Sequence, residues 1–224
     1  MRLETILSMA PHCNSAVDVG ADHAKVAIEL VRQGIVARAT ATDVGVGPLS
    51  RAKIAISACG LSEKIDTVLT DGLTDVAKHD LVVIAGMGGE LILHILDTAP
   101  WTRDEDVTFL LQPMTAGERL RNGLFARGYR VEREEIAKEG RKYYPILLVR
   151  RGEERYTSLD QLYLSRAGDS SPLAEEYIAH VLARMEKQLH GLKSAEEEDA
   201  KRIEETTDMI SALRKRREQY GESI

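Results

Sequence analysis

Cysteine, net positive charge and long apolar runs are what this chain most lacks. Its two cysteines, Cys13 and Cys59, stand far apart with no CxxC pair and no histidine cluster beside them, so neither a structural zinc site nor a disulfide framework is indicated. Both are expected to be inert thiols, and no metal is expected. Nowhere do 18 apolar residues follow one another, which leaves no candidate membrane span. The N-terminal stretch interrupts its apolar residues with Glu4, Ser8, Pro11 and His12, so it has no signal-peptide core and a cytoplasmic protein is expected. The formal net charge of −6 speaks, as a surface average, against a nucleic-acid partner, although local distribution matters more. No repeat or low-complexity tract is apparent. What is present is ordinary globular composition, 43% hydrophobic and 29% charged, in 224 residues: enough for one buried α/β core and a smaller appendage.

Residues 1–152 alternate short β-branched runs with amphipathic stretches, the pattern of βαβ units around a parallel sheet. Strands are expected at Ser15–Val19, Ala37–Thr42, Ile65–Leu69, Leu81–Ile84, Thr108–Leu111, Arg130–Ile136 and Tyr144–Arg150, the last two forming an antiparallel hairpin. Helices are expected at Ala24–Gln33, Pro48–Ala58, Glu90–Asp97 and Ala116–Arg127, three of them stopped by Gly34, Gly60 and Gly128. Between Arg119 and Arg155 eleven Lys or Arg face six Asp or Glu, a modest basic patch in an acidic protein. From 153 to 224 the texture becomes helical. Leu173, Tyr177, Val181, Met185, Leu189 and Leu192 form one stripe, Gly191 and Glu196–Glu198 interrupt it, and Ile203, Ile210 and Leu213 form another. Two such helices with many charges suggest an antiparallel coiled-coil hairpin as a second domain.

The most informative segment is Ala16–Ala24, AVDVGADHA, an apolar strand that ends in an acid and a glycine and runs straight into a helix. Doubly wound folds bind nucleotides there, at the carboxyl end of the first strand. A dinucleotide needs G-x-G-x-x-G so that its pyrophosphate can lie on bare backbone. Here the second glycine position is Asp22, which would oppose a pyrophosphate. S-adenosylmethionine carries an ammonium and a sulfonium and no phosphate, so Asp18 and Asp22 favour it. Asp43, about twenty residues on, stands where an acid accepts hydrogen bonds from ribose hydroxyls. Thr70-Asp71-Gly72 suits the adenine amine. Gly86-Met87-Gly88-Gly89 follows the fourth strand, where glycines let main chain approach both methyl donor and acceptor.

Taken together, DVGADHA, TDG at 70–72, VVIAGMGG at 82–89, LLQP at 110–113 and the Lys142-Tyr143 step closely resemble the bacterial TrmK family, over residues 1 to about 152. Members of that family are S-adenosylmethionine-dependent methyltransferases acting on N1 of adenine 22 in tRNA, and they too carry a C-terminal coiled-coil domain. The resemblance implies a Rossmann-like class I methyltransferase sheet with a helical C-terminal domain. It implies that Gly20, Asp22 and His23 border the methionine end of the cofactor, that Asp43 meets the ribose, and that Asp71 and Gly72 meet the adenine. Gly86 to Gly89 and Gln112-Pro113 would frame the acceptor. Lys25 stands where the family usually has an aromatic, Ala27 where it has a proline, and Met114 where it has an asparagine.

On this reading Asp22 and the Gly86–Gly89 backbone, Gly88 included, align the reactants, while Gln112 contacts the base edge and Met114 lies near it. Neither a metal nor a covalent nucleophile is required. His23 is expected to be a cap or packing residue rather than a base. Tyr143 or Tyr144 could stack a flipped base, at least one of them being a core residue. Arg214–Arg217 could meet RNA phosphates or the helix dipole. A monomer is expected. Competing expectations are a methyltransferase for another RNA, a protein or a small molecule, and a non-catalytic S-adenosylmethionine-binding module.

Overall fold

A computed structural model describes residues 1–154, 156–194 and 199–221. Strands β1 (Cys13–Val19), β2 (Val36–Asp43), β3 (Ile65–Leu69), β4 (Leu81–Gly88), β5 (Thr108–Thr115), β6 (Tyr129–Glu139) and β7 (Lys142–Arg151) form one sheet in the order β3-β2-β1-β4-β5-β7-β6. Strands β1 to β5 are parallel, and β7 runs antiparallel to β5 on one side and β6 on the other. Helices α1 (Arg2–Met9), α2 (Lys25–Arg32), α3 (Val46–Ala58), α4 (Gly89–Asp97) and α5 (Gly117–Ala126) cover the sheet, and α6 (Ala174–Lys193) and α7 (Ala200–Gly221) form a hairpin beside it.

Because side chains on a strand point alternately to opposite faces, each central strand feeds two cores. Leu81, Val83, Leu110 and Ile146 join α1, α2 and α3 in one; Val82, Ile84, Phe109, Leu111, Leu147 and Val149 join α4 and α5 in the other. The strand order reverses between β1 and β4, and the crevice at their carboxyl ends is where an open α/β sheet offers a ligand site.

Three local departures from sequence expectation have physical reasons. Helix α1 is absent from the expected set because its roughly two turns give little periodicity; tertiary burial of Ile6, Leu7 and Met9 holds it. The helix expected from Ala24 starts at Lys25, after a 3-10 turn at Asp22–Ala24 in which His23 and Ala24 have φ of 64° and 48°. Strands β4 and β5 continue through the glycine-rich segment and through Gln112 to Thr115, with pairing irregularities around Met87, so Gly86 to Gly88 are bulged strand rather than a free loop.

The helical hairpin has a core of its own. Tyr177, Ile178, Val181, Leu182 and Met185 of α6 and Ile210 and Leu213 of α7 pack with Tyr163, Leu164 and Ile136 of β6. The expected stripe is thus the buried face; the Glu196–Glu198 interruption lies outside the described residues. Two guanidinium groups fasten this unit. Arg121 of α5 and Glu134 of β6, 1% and 0% exposed, form a buried ion pair, with Arg121 also donating to the carbonyls of Gly117 (3.0 Å) and Leu162 (3.1 Å). Glu134 accepts the Ser165 N–H at 2.9 Å. Arg216 of α7, also buried, bonds Asp160 at 3.0 Å, Asp169 and the carbonyls of Leu164 and Ser165.

Removing one partner of a buried pair strands the other charge. Arg121→Met should therefore destabilise the protein by about 3–5 kcal/mol in urea unfolding, and adding Glu134→Leu should recover part of that loss. A single variant as stable as the wild type would contradict the assignment.

Candidate active site

At the end of β1 the chain must turn sharply. Gly20, at φ 72°, makes that turn, and the N–H groups of Gly20 and Ala21 donate to the Thr42 carbonyl at 2.8 and 2.9 Å, tying β1 to β2. A side chain at Gly20 would run into Met87. The turn that follows is strained: left-handed backbone at His23 and Ala24 costs of the order of 1–3 kcal/mol each. The Ala27 N–H at the start of α2 is met by the carboxyl of Asp18 at 3.3 Å. Of the two roles expected for His23, cap or packing, capping is not observed, since α2 has no side-chain cap; its half-exposed ring lies 3.8 Å from Asp22.

Two cavities meet at Gly20. One, of about 200 Å³, is bordered by Arg2, Asp18, Gly20, Asp22, Lys25 and Gly86, and carries charges of both signs. The other, of about 390 Å³, has Asp43 and Asp71 among mainly apolar walls that include Val44, Met87, Leu91 and Ile95. Val44 is 69% and Leu91 48% exposed, unusual for aliphatic side chains in a concave site. Asp43 spends one oxygen on the Gly45 N–H at 2.8 Å, and Thr42, which also borders this cavity, has a buried hydroxyl with no partner. Asp71 and Gly72 lie side by side at the same wall.

The carboxylates differ in state. Complete burial pushes the Asp18 carboxyl up to about 7, the Ala27 N–H opposing this only partly. Asp22 is half-exposed, and its hydrogen bond from Arg51, Nε to Oδ1 at 2.8 Å, holds it below the usual carboxylate range. Asp22, expected to attract a cationic cofactor, thus has an arginine of α3 beside it.

On the other side of the crevice, Gln112 is 1% exposed. Its Oε1 accepts the Gly86 N–H at 3.1 Å and its Nε2 donates to the Pro113 carbonyl at 2.8 Å, so it clamps the ends of β4 and β5 from below rather than presenting a free amide. Gly88 approaches Thr115, and Gly89 packs so closely on the Ala116 backbone that a side chain there has no room. Pro113 is buried, whereas Met114 is 45% exposed, with Arg2 Nη1 and Gln112 Nε2 at 3.5 and 3.6 Å from its sulfur. Tyr143 stands farther off, in a narrow cleft of about 80 Å³ between Pro113–Glu118 and the helical hairpin. Its hydroxyl donates to Glu176 at 2.6 Å and its ring lies 4.8 Å from that of His180. Tyr144 is core, beneath the Arg2 guanidinium.

Sequence reading missed Arg2 as a site residue, because α1 itself was not expected, and missed Leu91 and Ile95, whose four-residue spacing on α4 is visible only once the helix is placed. The basic patch is largely self-neutralised. Arg119 pairs with Glu90, Arg127 with Asp97, Lys138 with Glu176 and Arg133 with Glu135, while Arg121 is buried. Arg155 lies outside the described residues. Of the Arg214–Arg217 run, Arg216 is structural and Arg214 pairs with Glu186. Among the described residues no helix is long and apolar enough to cross a membrane, and no group of three potential metal ligands occurs.

A methyltransferase domain family model matches residues 1–147. The tRNA (adenine(22)-N(1))-methyltransferase of Bacillus subtilis (strain 168) is 30% identical over 228 residues, spanning all of this chain and 95% of that one. The crystal structure of Streptococcus pneumoniae Sp1610 has a TM-score of 0.84 at 30% identity, covering 96% of this chain and 97% of that one. The same protein in complex with S-adenosyl-L-methionine gives 0.82 at 29% identity, over 96% and 97%.

A buried carboxyl whose folded pKa lies above its unfolded value binds a proton on folding, so its contribution favours the fold at low pH and is lost as pH rises from about 4 to about 7. Asp18→Asn should remove that component: the melting temperature of the variant should fall less than that of the wild type between pH 5 and pH 7.5. Parallel curves would contradict the protonated state of Asp18.

Proposed function

The chain belongs to the TrmK family of tRNA (adenine(22)-N(1))-methyltransferases, and on that premise we propose that it transfers a methyl group from S-adenosylmethionine to N1 of adenine 22 in tRNA. The observation that carries this is the pair of cavities joined at Gly20, one charged and one apolar with acids at its ends. An amino-acid zwitterion fits the first: Asp22 suits its ammonium, and Arg2 and Lys25 suit its carboxylate. An adenosine fits the second. Asp43 keeps an oxygen free of the Gly45 N–H for ribose hydroxyls, Val44, Met87, Leu91 and Ile95 offer apolar walls to the purine, and Asp71 and Gly72 meet its amine. The orphan hydroxyl of Thr42 marks the same wall as a place where a polar ligand group is wanted.

When bound, S-adenosylmethionine supplies a methyl group already activated on sulfur. The work left to the chain is alignment, exclusion of water and stabilisation of charge. Adenine N1 has a free lone pair and no proton to lose, so no base precedes attack, and the purine becomes cationic. Carbonyl groups of the Gly86–Gly88 bulge have the sign to stabilise it, the Asp22 carboxylate being shared between Arg51 and the ammonium of the donor. Gln112 acts as a positioning residue, holding Gly86 through its N–H. Met114 is the exposed side chain at the acceptor side, and Tyr143 lines the junction cleft rather than the cofactor cavities.

N1 lies on the Watson–Crick edge, so the base must leave any pairing before it reacts. We place the RNA along the junction of two units dividing near Gly152, a cofactor-binding unit and a helical one. Arg141 and Lys142, at the β6–β7 tip on the carboxyl edge, are exposed and outside every ion pair found among the described residues, which suits them to phosphate contact.

Incubation with labelled S-adenosylmethionine and unmodified tRNA, followed by nucleoside mapping, should yield N1-methyladenosine at position 22. Its absence, or label on another nucleoside, would contradict the assignment. Gln112→Ala should lower turnover by about ten- to a hundredfold with cofactor affinity changed far less; equal losses in both would rule out the positioning role.

A further inference from the structure

We propose that Arg51 is a positioning residue for this reaction, fixing the Asp22 side chain so that its second carboxylate oxygen stays open to the α-ammonium group of the methyl donor. The proposal rests on the reading of Asp22 as a ligand of the methionine end. Asp22 belongs to the one segment near the cofactor crevice that has two successive non-glycine residues in left-handed backbone, His23 and Ala24. Such a turn needs support from outside itself.

Helix α3 provides it. Leu49, Ala52 and Ile56 bury one face of that helix, so it is a fixed body against which the strained turn can be held. Arg51, next to the fully buried Ala52, reaches across with Nε 2.8 Å from Asp22 Oδ1. His23 Nε2 approaches the same oxygen, at 3.8 Å, and among the described residues no hydrogen bond reaches Oδ2. Both neighbouring side chains therefore lie on the side of one oxygen and leave the other for a ligand. Their effect on charge agrees with the geometry, since the Arg51 hydrogen bond lowers the Asp22 pKa. The groups facing Asp22 from adjoining elements are Arg51 of α3, Lys25 of α2 and His23 of its own turn, all cationic or neutral. The arrangement also links the two halves of the site. Helix α3 follows directly on the Asp43–Gly45 turn, so the ribose acid and the ammonium acid hang on one helix.

Both side chains are about half exposed, so water screens the pair and the effect will be modest. Calorimetric titration of the full-length protein with S-adenosylhomocysteine, which has the same amino-acid end, tests it without turnover. Arg51→Ala should weaken binding by about fivefold, Arg51→Lys should restore part of it, and in an Asp22→Ala background Arg51→Ala should add nothing. In the ligand-free protein, the Asp22 carboxyl resonance should titrate at higher pH in Arg51→Ala than in the wild type. Wild-type affinity for Arg51→Ala, with Asp22→Ala impaired, would overturn the role of Arg51 alone. A loss that persists in the Asp22→Ala background would show that Arg51 touches the ligand or acts otherwise, and would overturn it too. Wild-type affinity for Asp22→Ala would instead overturn the reading of Asp22 on which the proposal rests.

Discussion

A charge pair taken completely out of water holds the two parts of this molecule in register. Arg121 comes from α5 on the sheet, Glu134 from β6, and between them they bond the Leu162 carbonyl and the Ser165 N–H of the segment leading to the helical hairpin. Neither side chain is exposed, so the arrangement tolerates little slack: a displacement of the 162–165 segment must break a charge-assisted bond in a low-dielectric setting. Arg216 repeats the device from the other side, binding α7 back to Asp160 and Asp169. The cleft between Met114–Glu118 and α6 exists because these bonds fix its two walls.

The cofactor crevice obeys a different constraint, that of close approach. Gly20 admits no side chain beside Met87, and the bulge at Gly86–Gly88 is pinned by Gln112. Around these bare stretches charge is sorted by position. Acids stand at the ends of β1, β2 and β3, Arg2 and Lys25 border the smaller cavity beside Asp22, and aliphatic walls line the other. A zwitterion joined to a purine nucleoside carries the complementary sequence of charges. The break in the dinucleotide pattern at Asp22 remains informative, but its meaning has shifted: Asp22 is a paired carboxylate, so what the crevice offers a cation is one oxygen of an ion pair rather than an unmatched charge.

Much of the fold could be read directly. Short apolar, β-branched runs located the seven strands, since burial on both faces demands apolar residues on both sides, and the stripe on α6 gave its buried face. The glycines and acids at the strand ends could be read as one cluster, because β1, β2 and β3 are neighbours in the sheet and their carboxyl ends share one edge. Other features depend on contacts distant in sequence. Arg51 and Asp22, or Arg2 and Gln112, meet only after folding, and α1 is a helix because of what it packs on. The basic patch was misleading for the same reason: counting cations does not show that Glu90, Asp97 and Glu176 lie beside them. Gln112, expected at the base edge from the family resemblance, uses its amide inside the protein, on Gly86 and Pro113.

The central claim is that cofactor binding belongs to the sheet edge, whereas methylation of tRNA also needs the helical hairpin held against it. The Arg121→Met, Glu134→Leu double variant tests this most directly, with S-adenosylmethionine affinity and single-turnover tRNA methylation measured on the same folded sample. Affinity within about twofold of wild type and a methylation rate lower by at least about tenfold are the expected result. Undiminished methylation, or a parallel fall in both, would contradict the account.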